Sequence, residues 1–213
     1  MTGHILLAMA LTAFCTAAQA TEYHVGAFSS EGLHGWESKI FKGTTDYSLV
    51  QDAGRTVVKA ASRGTASGLF RKVKLDPEQF RYLRWSWKVG GIVKNGDETT
   101  KNGDDYAARI YVVFSSRLLW RTKALNYIWA NRLAKGDSRP NAFTSHAMML
   151  AVESGPERVG HWINEERDIL ADYRRLFGGE PHEIDAIAIM TDTDNTGGEA
   201  TAWYGDITLS TNK

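Results

Sequence analysis

Short runs in which apolar and polar residues alternate recur along most of the chain. Each run is rich in β-branched and aromatic residues and is bounded by Gly, Asp, Asn or Ser, which is the pattern of half-buried strands. Their spacing is typical of an antiparallel sandwich or barrel, and we assign the chain to the all-β class. The predicted strands are Tyr47–Asp52, Thr56–Ser62, Gly68–Leu75, Tyr82–Val89, Ala107–Phe114, Ala147–Glu153, Ala186–Thr191 and Thr201–Leu209.

One segment, Glu165–Phe177, follows a helical period instead. Asn164 is suited to cap the N-terminus of this helix and Gly178 to end it. We therefore predict a single amphipathic helix packed against the sandwich. Its apolar face consists of Ile169, Leu170, Tyr173, Leu176 and Phe177.

The N-terminal segment has the features of an export signal. Ile5–Phe14 is an apolar run too short to span a bilayer as a helix, and the small residues Ala18 and Ala20 form a cleavage site. We predict a secretory signal peptide over residues 1–20 and a single mature domain over residues 21–213, in the periplasm or outside the cell. A buried N-terminal helix is the alternative. Cys15 is the only cysteine, so the mature chain has no thiol or disulfide.

Composition removes several classes of function. The 213 residues contain 25 Lys and Arg against 25 Asp and Glu, and no basic run is present, which argues against nucleic acid and anionic membrane surfaces as partners. The common nucleophile, zinc and phosphate-binding motifs are absent. The expected partner is a polar small molecule or a glycan, with no insertion into a membrane and no cofactor apart from a structural calcium ion.

The predicted strand Ala107–Phe114 carries the strongest candidate site. Its apolar residues share one face, whereas Asp105, Arg109 and Tyr111 have the opposite parity. A mid-strand arginine of this kind either faces a ligand in a groove or forms a solvated pair with an acid. Small residues at Ala147, Ala151, Ala186 and Ala188 would leave a groove if their strands lie beside Arg109.

The segment Thr191–Glu199 is rich in side-chain oxygen and ends in two glycines. Asp192, Asp194 and Asn195 are ligands that suit calcium. The same residue types also dominate ordinary turns, so a structural turn is the alternative. Trp129 and Trp162 would suit the stacking of a sugar ring, and burial in the core is the alternative for both.

Five motifs stand out together: Leu83–Val89, Gly103–Phe114, Leu125–Trp129, the pieces Glu166–Ile169 and Asp172–Tyr173, and Met190–Gly197. In this combination the chain resembles a bacterial exported family, domain-of-unknown-function family 3047. The resemblance implies an exported single domain, an all-β sandwich similar to galactose-binding and carbohydrate-binding jelly rolls, and no established activity. It also adds Tyr127 and Arg167 to the candidate ligand-binding residues.

The predicted function is the binding of a polar ligand, with a glycan as the leading class, on a concave sheet face that carries Arg109 and Tyr111. Two alternatives remain. One is a polysaccharide lyase or hydrolase on the same scaffold, with Tyr111 or a carboxylate in proton transfer and Arg109 neutralising a uronate. The other is an envelope interaction protein without a small-ligand site.

Overall fold

The structure is a computed structural model that describes residues 20–115 and 122–213. Apart from Ala20, the predicted signal peptide lies outside these residues. The described elements are β1 (Glu22–Gly26), α1 (Phe28–Glu31), β2 (Glu37–Lys42), β3 (Asp46–Asp52), β4 (Arg55–Arg63), β5 (Ala66–Leu75), β6 (Tyr82–Val89), a 3₁₀ turn (Lys101–Gly103), β7 (Arg109–Ser115), β8 (Lys123–Ala130), β9 (Ser138–Pro140), β10 (Ala147–Ser154), β11 (Ile163–Asp168), α2 (Ile169–Phe177), β12 (Glu183–Asp192) and β13 (Glu199–Ser210).

The strands form two sheets that face each other as a β-sandwich of the jelly-roll type, as predicted. Sheet A has the order β11-β6-β13-β4-β3, with β1 also paired to β13, and sheet B has the order β2-β5-β12-β7-β8-β10-β9. All pairs are antiparallel except β8 with β10, which run parallel. Among the described residues, no helix is long and apolar enough to cross a membrane.

The core lies between the sheets and is built from the inward positions of both. Trp85 and Trp87 of β6 are buried there, as their alternation with polar neighbours predicted. Trp85 stacks on Tyr127 of β8 with ring centroids 5.4 Å apart, and Trp87 lies 6.0 Å from Trp129. Aromatic contacts of this kind join the sheets by burying large apolar surfaces.

The predicted helix begins later than expected. Residues Glu165 to Asp168 belong to β11, where Asn164 pairs with Ser86 and caps no helix. The cap is Asp168, whose side chain accepts a hydrogen bond from the backbone N–H of Ala171 at 3.0 Å. Strand pairing with β6 therefore overrides the helical period in this first part, and the amphipathic helix α2 starts at Ile169.

Several strands have no counterpart among the predicted ones. Their patterns explain why: β2 is exposed along its whole length, and β8 is buried on both faces over most of its length, so neither strand alternates apolar and polar residues in the way that identifies a half-buried strand. The unpredicted strands are β1, β2, β8, β9 and β11.

Candidate functional site

A cavity of about 450 Å³ lies on the outer face of sheet B, the face turned away from the core. We call it the sheet B cavity. Strands β7, β8, β10 and β12 supply its floor, and residues from β2, from the segment before β7, and from the β9–β10 and β12–β13 connections supply its walls. Its lining consists of Phe41, Ala66, Asp104, Arg109, Tyr111, Asn126, Asn141, Phe143, Thr144, Ala147, Met149, Met190, Asp192, Asp194 and Asn195.

Strand register explains which side chains meet in this cavity. Tyr111 lies between Ala188 of β12 and Asn126 of β8, and Asn126 lies opposite Met149 of β10. Residues that pair in register point to the same side of a sheet, so these side chains share the outer face. Ala147 lines the cavity, so one of the small residues expected to leave room beside the arginine stands in its wall.

Arg109 is buried, and its guanidinium is held on the cavity floor by the carboxylate of Asp192, with Nη2 bonded to Oδ2. The rings of Tyr106 and Tyr111 lie 4.8 and 5.3 Å from its Cζ atom. Burial is the largest single effect and opposes the charge of Arg109, but Asp192 together with Tyr111, Asp104 and Tyr106 outweighs burial and raises the arginine pKa. The sequence left open a ligand-facing arginine or a solvated Arg–Asp pair. The pair is formed, but it is buried and not solvated, and the cavity lies beside it. Ligand contact by Arg109 stays a prediction.

Four aspartates surround this arginine. Asp104 accepts hydrogen bonds from the Asn141 amide at 2.8 Å and from the hydroxyl of Tyr106 at 2.9 Å. Burial raises the pKa of Asp192 to about 8; Arg109 acts against this rise, and the carboxylates of Asp105, Asp104 and Asp194 add to it. Burial and Asp105 also raise the pKa of Asp194. The cavity therefore has an excess of acid at its polar end.

Three of these acids could hold a cation. Asp105, Asp192 and Asp194 each offer a carboxylate oxygen within 4.8 Å of the others. The predicted calcium ligand Asn195 serves a different purpose, because its backbone and side-chain N–H groups donate to Asp105 at 3.2 Å. Thr196 donates its backbone N–H to the same carboxylate. Asp105 thus fastens the β12–β13 connection to the segment before β7, and calcium binding stays a prediction.

The buried amide of Asn126 has no protein partner. Only 1% of this residue is exposed, and neither Oδ1 nor Nδ2 forms a hydrogen bond with any described residue. The Nε atom of Arg109 is unpartnered as well. Because a buried polar group without a partner is strongly unfavourable, these atoms mark a place where a polar ligand or water is expected.

Two aromatic rings stand at the rim. Phe41 and Phe143 are each 55% exposed although they line the cavity. The ammonium groups of Lys39 and Lys101 lie 5.3 Å from the ring centroids of Phe41 and Phe143 respectively. Exposed rings beside a polar cavity can stack on the apolar face of a sugar or another flat ligand.

The other predicted ligand-binding residues lie elsewhere. Tyr127 and Trp129 have the opposite parity to Asn126, so they point into the core, where the Tyr127 hydroxyl donates to Asp172 at 3.1 Å. Arg167 pairs with Asp172. Trp162 lies on the outer face of sheet A and donates to Asp52 at 2.7 Å. The prediction that these four residues belong to the same ligand-binding surface as Arg109 is therefore corrected: none of them lines the sheet B cavity.

Two features of the sheet B cavity bear on whether it could be the active site of a polysaccharide lyase or hydrolase. Burial raises the pKa of Tyr111, with the neighbouring Asp192 acting in the same direction and Arg109 against it, so the phenol is a poor base at neutral pH. The guanidinium of Arg109 is already bonded to Asp192, so a uronate would have to compete with that carboxyl group for it. Neither observation favours the lyase or hydrolase alternative.

A second group of unpartnered atoms lies at the lateral opening of the sandwich. It comprises the indole nitrogens of Trp85 and Trp87 and Oε1 of Glu165. Burial, then Glu153, raises the pKa of Glu165 to about 7. Indole donors and a carboxylate acceptor can satisfy each other after small side-chain movements. Asn126 is only 1% exposed, lines the cavity of about 450 Å³ and has both of its polar atoms unpartnered within the described chain, so the sheet B cavity is the stronger candidate site.

The fold and this sheet face define a β-sandwich with a cavity on the outer face of sheet B. The model of a family described as "Protein of unknown function (DUF3047)" matches residues 34–208. The chain belongs to this family, which confirms the resemblance noted in the sequence. No protein of curated function matches the sequence.

Solved structures with related architecture share little sequence with the chain. A family 29 carbohydrate-binding module in complex with mannohexaose is 10% identical over 92% of this chain and 94% of that chain, with a TM-score of 0.46. A carbohydrate esterase from the Shiga toxin-encoding bacteriophage phi24B is 14% identical over 92% and 100% of the two chains, with a TM-score of 0.48. The exolytic PL7 alginate lyase of Zobellia galactanivorans is 10% identical over 91% and 99%, with a TM-score of 0.42.

Proposed function

We propose that the protein binds an uncharged polar ligand, a glycan, in the sheet B cavity. The observation that carries the proposal is the buried carboxamide of Asn126, which lines a cavity of about 450 Å³ with both of its polar atoms unpartnered. Binding sites commonly combine apolar walls with a few polar groups that fix the ligand. Met149 and Met190 supply such walls here.

The charges around the cavity favour a neutral ligand. Asp104, Asp192 and Asp194 line it together with a single arginine, and that arginine is already paired. A uronate or sulfate group brought close to these acids would be repelled and would lose its hydration. Neutral hexoses and pentoses avoid this penalty and can use the exposed rings of Phe41 and Phe143 for stacking.

The proposal includes a location and a cation. The protein acts in the periplasm or outside the cell, because the apolar run Ile5–Phe14 and the small residues after it have the form of a signal peptide. A calcium ion at Asp105, Asp192 and Asp194 would stabilise the polar end of the cavity. Neither part is needed for the other.

An array of neutral gluco-, manno-, galacto- and xylo-oligosaccharides alongside oligouronates tests the proposal. We expect binding to at least one neutral series and none to the oligouronates. Phe143→Ala should weaken that binding at least tenfold through the lost stacking surface. Leu49→Ala is the matched control, because Leu49 is exposed on β3 of sheet A, outside the cavity lining. Binding to oligouronates alone, or no glycan binding, would contradict the proposal.

A further inference from the structure

We infer that Asn126 determines ligand specificity by reading two adjacent hydroxyl groups of a sugar ring, donating to one through Nδ2 and accepting from the other through Oδ1. The inference rests on the proposed function, since it assigns a chemical feature to the ligand of the same cavity. It goes beyond the proposed function by assigning hydrogen bonds between Asn126 and two particular hydroxyl groups of the ligand.

The position of Asn126 restricts what its side chain can reach. It lies in the middle of β8, between β7 and β10, so its backbone belongs to the sheet and its side chain is held on the cavity floor. Tyr111 and Met149 flank it in register. The Tyr111 hydroxyl is directed at the sulfur of Met190 at 3.6 Å and does not bond the amide. The carboxamide is therefore available to a group inside the cavity.

The chemistry of a carboxamide selects the matching group. Its donor and its acceptor lie side by side in one plane, so the best single partner also offers a donor and an acceptor side by side. Adjacent ring hydroxyls do so, because each can donate or accept. Carboxylates, sulfates and phosphates offer only acceptors when they are ionised, and would leave Oδ1 of Asn126 unpartnered.

An acetamido substituent fits less well. In a trans secondary amide the N–H and C=O groups point in opposite directions, so they cannot both meet the edge of one carboxamide. The neighbouring polar groups do not change this choice, because the oxygens of Asp104 are engaged by Asn141 and Tyr106, and an oxygen of Asp192 by Arg109. The vicinal diol of a neutral sugar is the motif that satisfies both atoms of Asn126.

The variant that tests this role is Asn126→Leu, which keeps the size of the side chain and removes both polar atoms. Its melting temperature should equal or exceed that of the wild type, because two buried unpartnered atoms disappear. Binding of the neutral oligosaccharide series found on the array should fall at least 100-fold. Asn164→Leu, the same change on the exposed outer face of sheet A, is the matched control and should leave binding unchanged.

The ligand side is tested with methyl glycosides of glucose, mannose and galactose and their 2-, 3- and 4-deoxy derivatives, using ligand-detected NMR. For the sugar that binds, removal of either of two adjacent hydroxyls should weaken binding to the wild type by a similar factor. Neither removal should matter further in Asn126→Leu, since the partner is already gone.

The outcomes separate the inference from the proposed function. If Asn126→Leu retains full binding while Phe143→Ala loses it, the cavity binds a glycan but the role of Asn126 is overturned. The same holds if the sensitive hydroxyls are not adjacent, or if an N-acetylated sugar binds through its acetamido group. If no glycan binds to the wild type, the proposed function itself fails.

Discussion

The outer faces of the two sheets carry similar residue types in opposite circumstances. On sheet A, Lys88 lies over the rings of Trp162 and Trp203, at 5.5 and 4.4 Å from their centroids, and bonds Asp52 at 2.5 Å. All four of these side chains are partly exposed and have protein partners. On sheet B, the arginine, asparagine and aspartate of the cavity floor are buried under the surrounding loops. The side chain of this asparagine has no hydrogen-bond partner in the part of the chain that the structure describes.

The difference lies in what covers each face. The polar side chains on the outer face of sheet A described above need no ligand, because they have protein partners and are partly exposed to water. The floor of sheet B is covered by the β9–β10 and β12–β13 connections and by the segment that ends at β7. Unpartnered polar atoms there cost about 1–3 kcal/mol each. A sheet face that retains such atoms is a stronger indication of a binding site than a face with more aromatic residues.

The largest expected loss of stability is that of Arg109→Ala on sheet B, which can be compared with the removal of an exposed arginine on sheet A. Arg109→Ala leaves Asp192 buried without its counter-charge, which typically costs about 3–5 kcal/mol of the free energy of unfolding. Because the carboxyl group can take up a proton instead, the full cost should appear near pH 9 and shrink toward pH 6. Urea unfolding at both pH values measures it.

Arg63→Ala provides the contrast on sheet A. Arg63 and Glu199 are 81% and 73% exposed and lie 3.8 Å apart, so this change should alter the free energy of unfolding by no more than about 0.5 kcal/mol. A small effect of Arg109→Ala at pH 9 would mean that its ion pair is not desolvated. It also follows that loss of binding in Arg109→Ala is no clean test of ligand contact.

A smaller effect is expected from the aspartates, with opposite pH dependence on the two faces. Asp192 has a raised pKa in the folded protein, so the folded state holds an extra proton and the wild type loses stability as the pH rises from about 4 to about 8. Asp192→Asn removes this loss. Its stability relative to the wild type should therefore increase over that range, by up to about 1.4 kcal/mol per pH unit.

Asp52 behaves in the opposite way. Hydrogen bonds from Lys88 and Trp162 lower its pKa in the folded protein, so its contribution is present above the unfolded pKa and is lost as the pH falls through the folded pKa. Asp52→Asn should be less stable than the wild type at pH 7, and the gap should close as the pH falls below the ordinary titration range of an aspartate. Thermal unfolding measured as a function of pH checks both predictions. If the stability of the two variants relative to the wild type changes with pH in the same direction, the two faces do not differ in the way proposed.

The alternation of residues along a strand was enough to predict which side chains of β6 and β7 lie on the outer faces of the two sheets. Alternation identified β6 with its bounds and placed Arg109 and Tyr111 on the face opposite to the apolar residues of β7. The same rule, applied to β8, would have put Asn126 on the parity opposite to Tyr127 and Trp129. The alternation is not visible in β8, because Asn126 lies in an almost continuously apolar segment. Such a segment is typical of a strand that is buried on both faces.

The rest of the contrast depends on contacts between distant segments. Only the pairing of β7 with β8 and β12 brings Tyr111, Asn126 and Met190 together, and strand order is not encoded in local periodicity. The missing partner of Asn126 is a property of everything around it, so no sequence pattern reports it. Phe143 looked like any loop residue, because its place at the rim follows from where the β9–β10 connection lies over the sheet.

The smallest effect concerns calcium, which should distinguish the acids of the two faces. If Asp105, Asp192 and Asp194 bind Ca²⁺ with millimolar affinity, 10 mM CaCl₂ would stabilise the fold by about 1.4 kcal/mol, a rise of roughly 3 °C in melting temperature. The ion competes with the proton on Asp192, so the rise in melting temperature should be larger at pH 9 than at pH 6.

Asp194→Asn should abolish the calcium-dependent rise in melting temperature, and Asp52→Asn should retain it. An equal response of both variants, or none in the wild type, would assign the acidic cluster to the turn alone, where Asp105 fastens the β12–β13 connection.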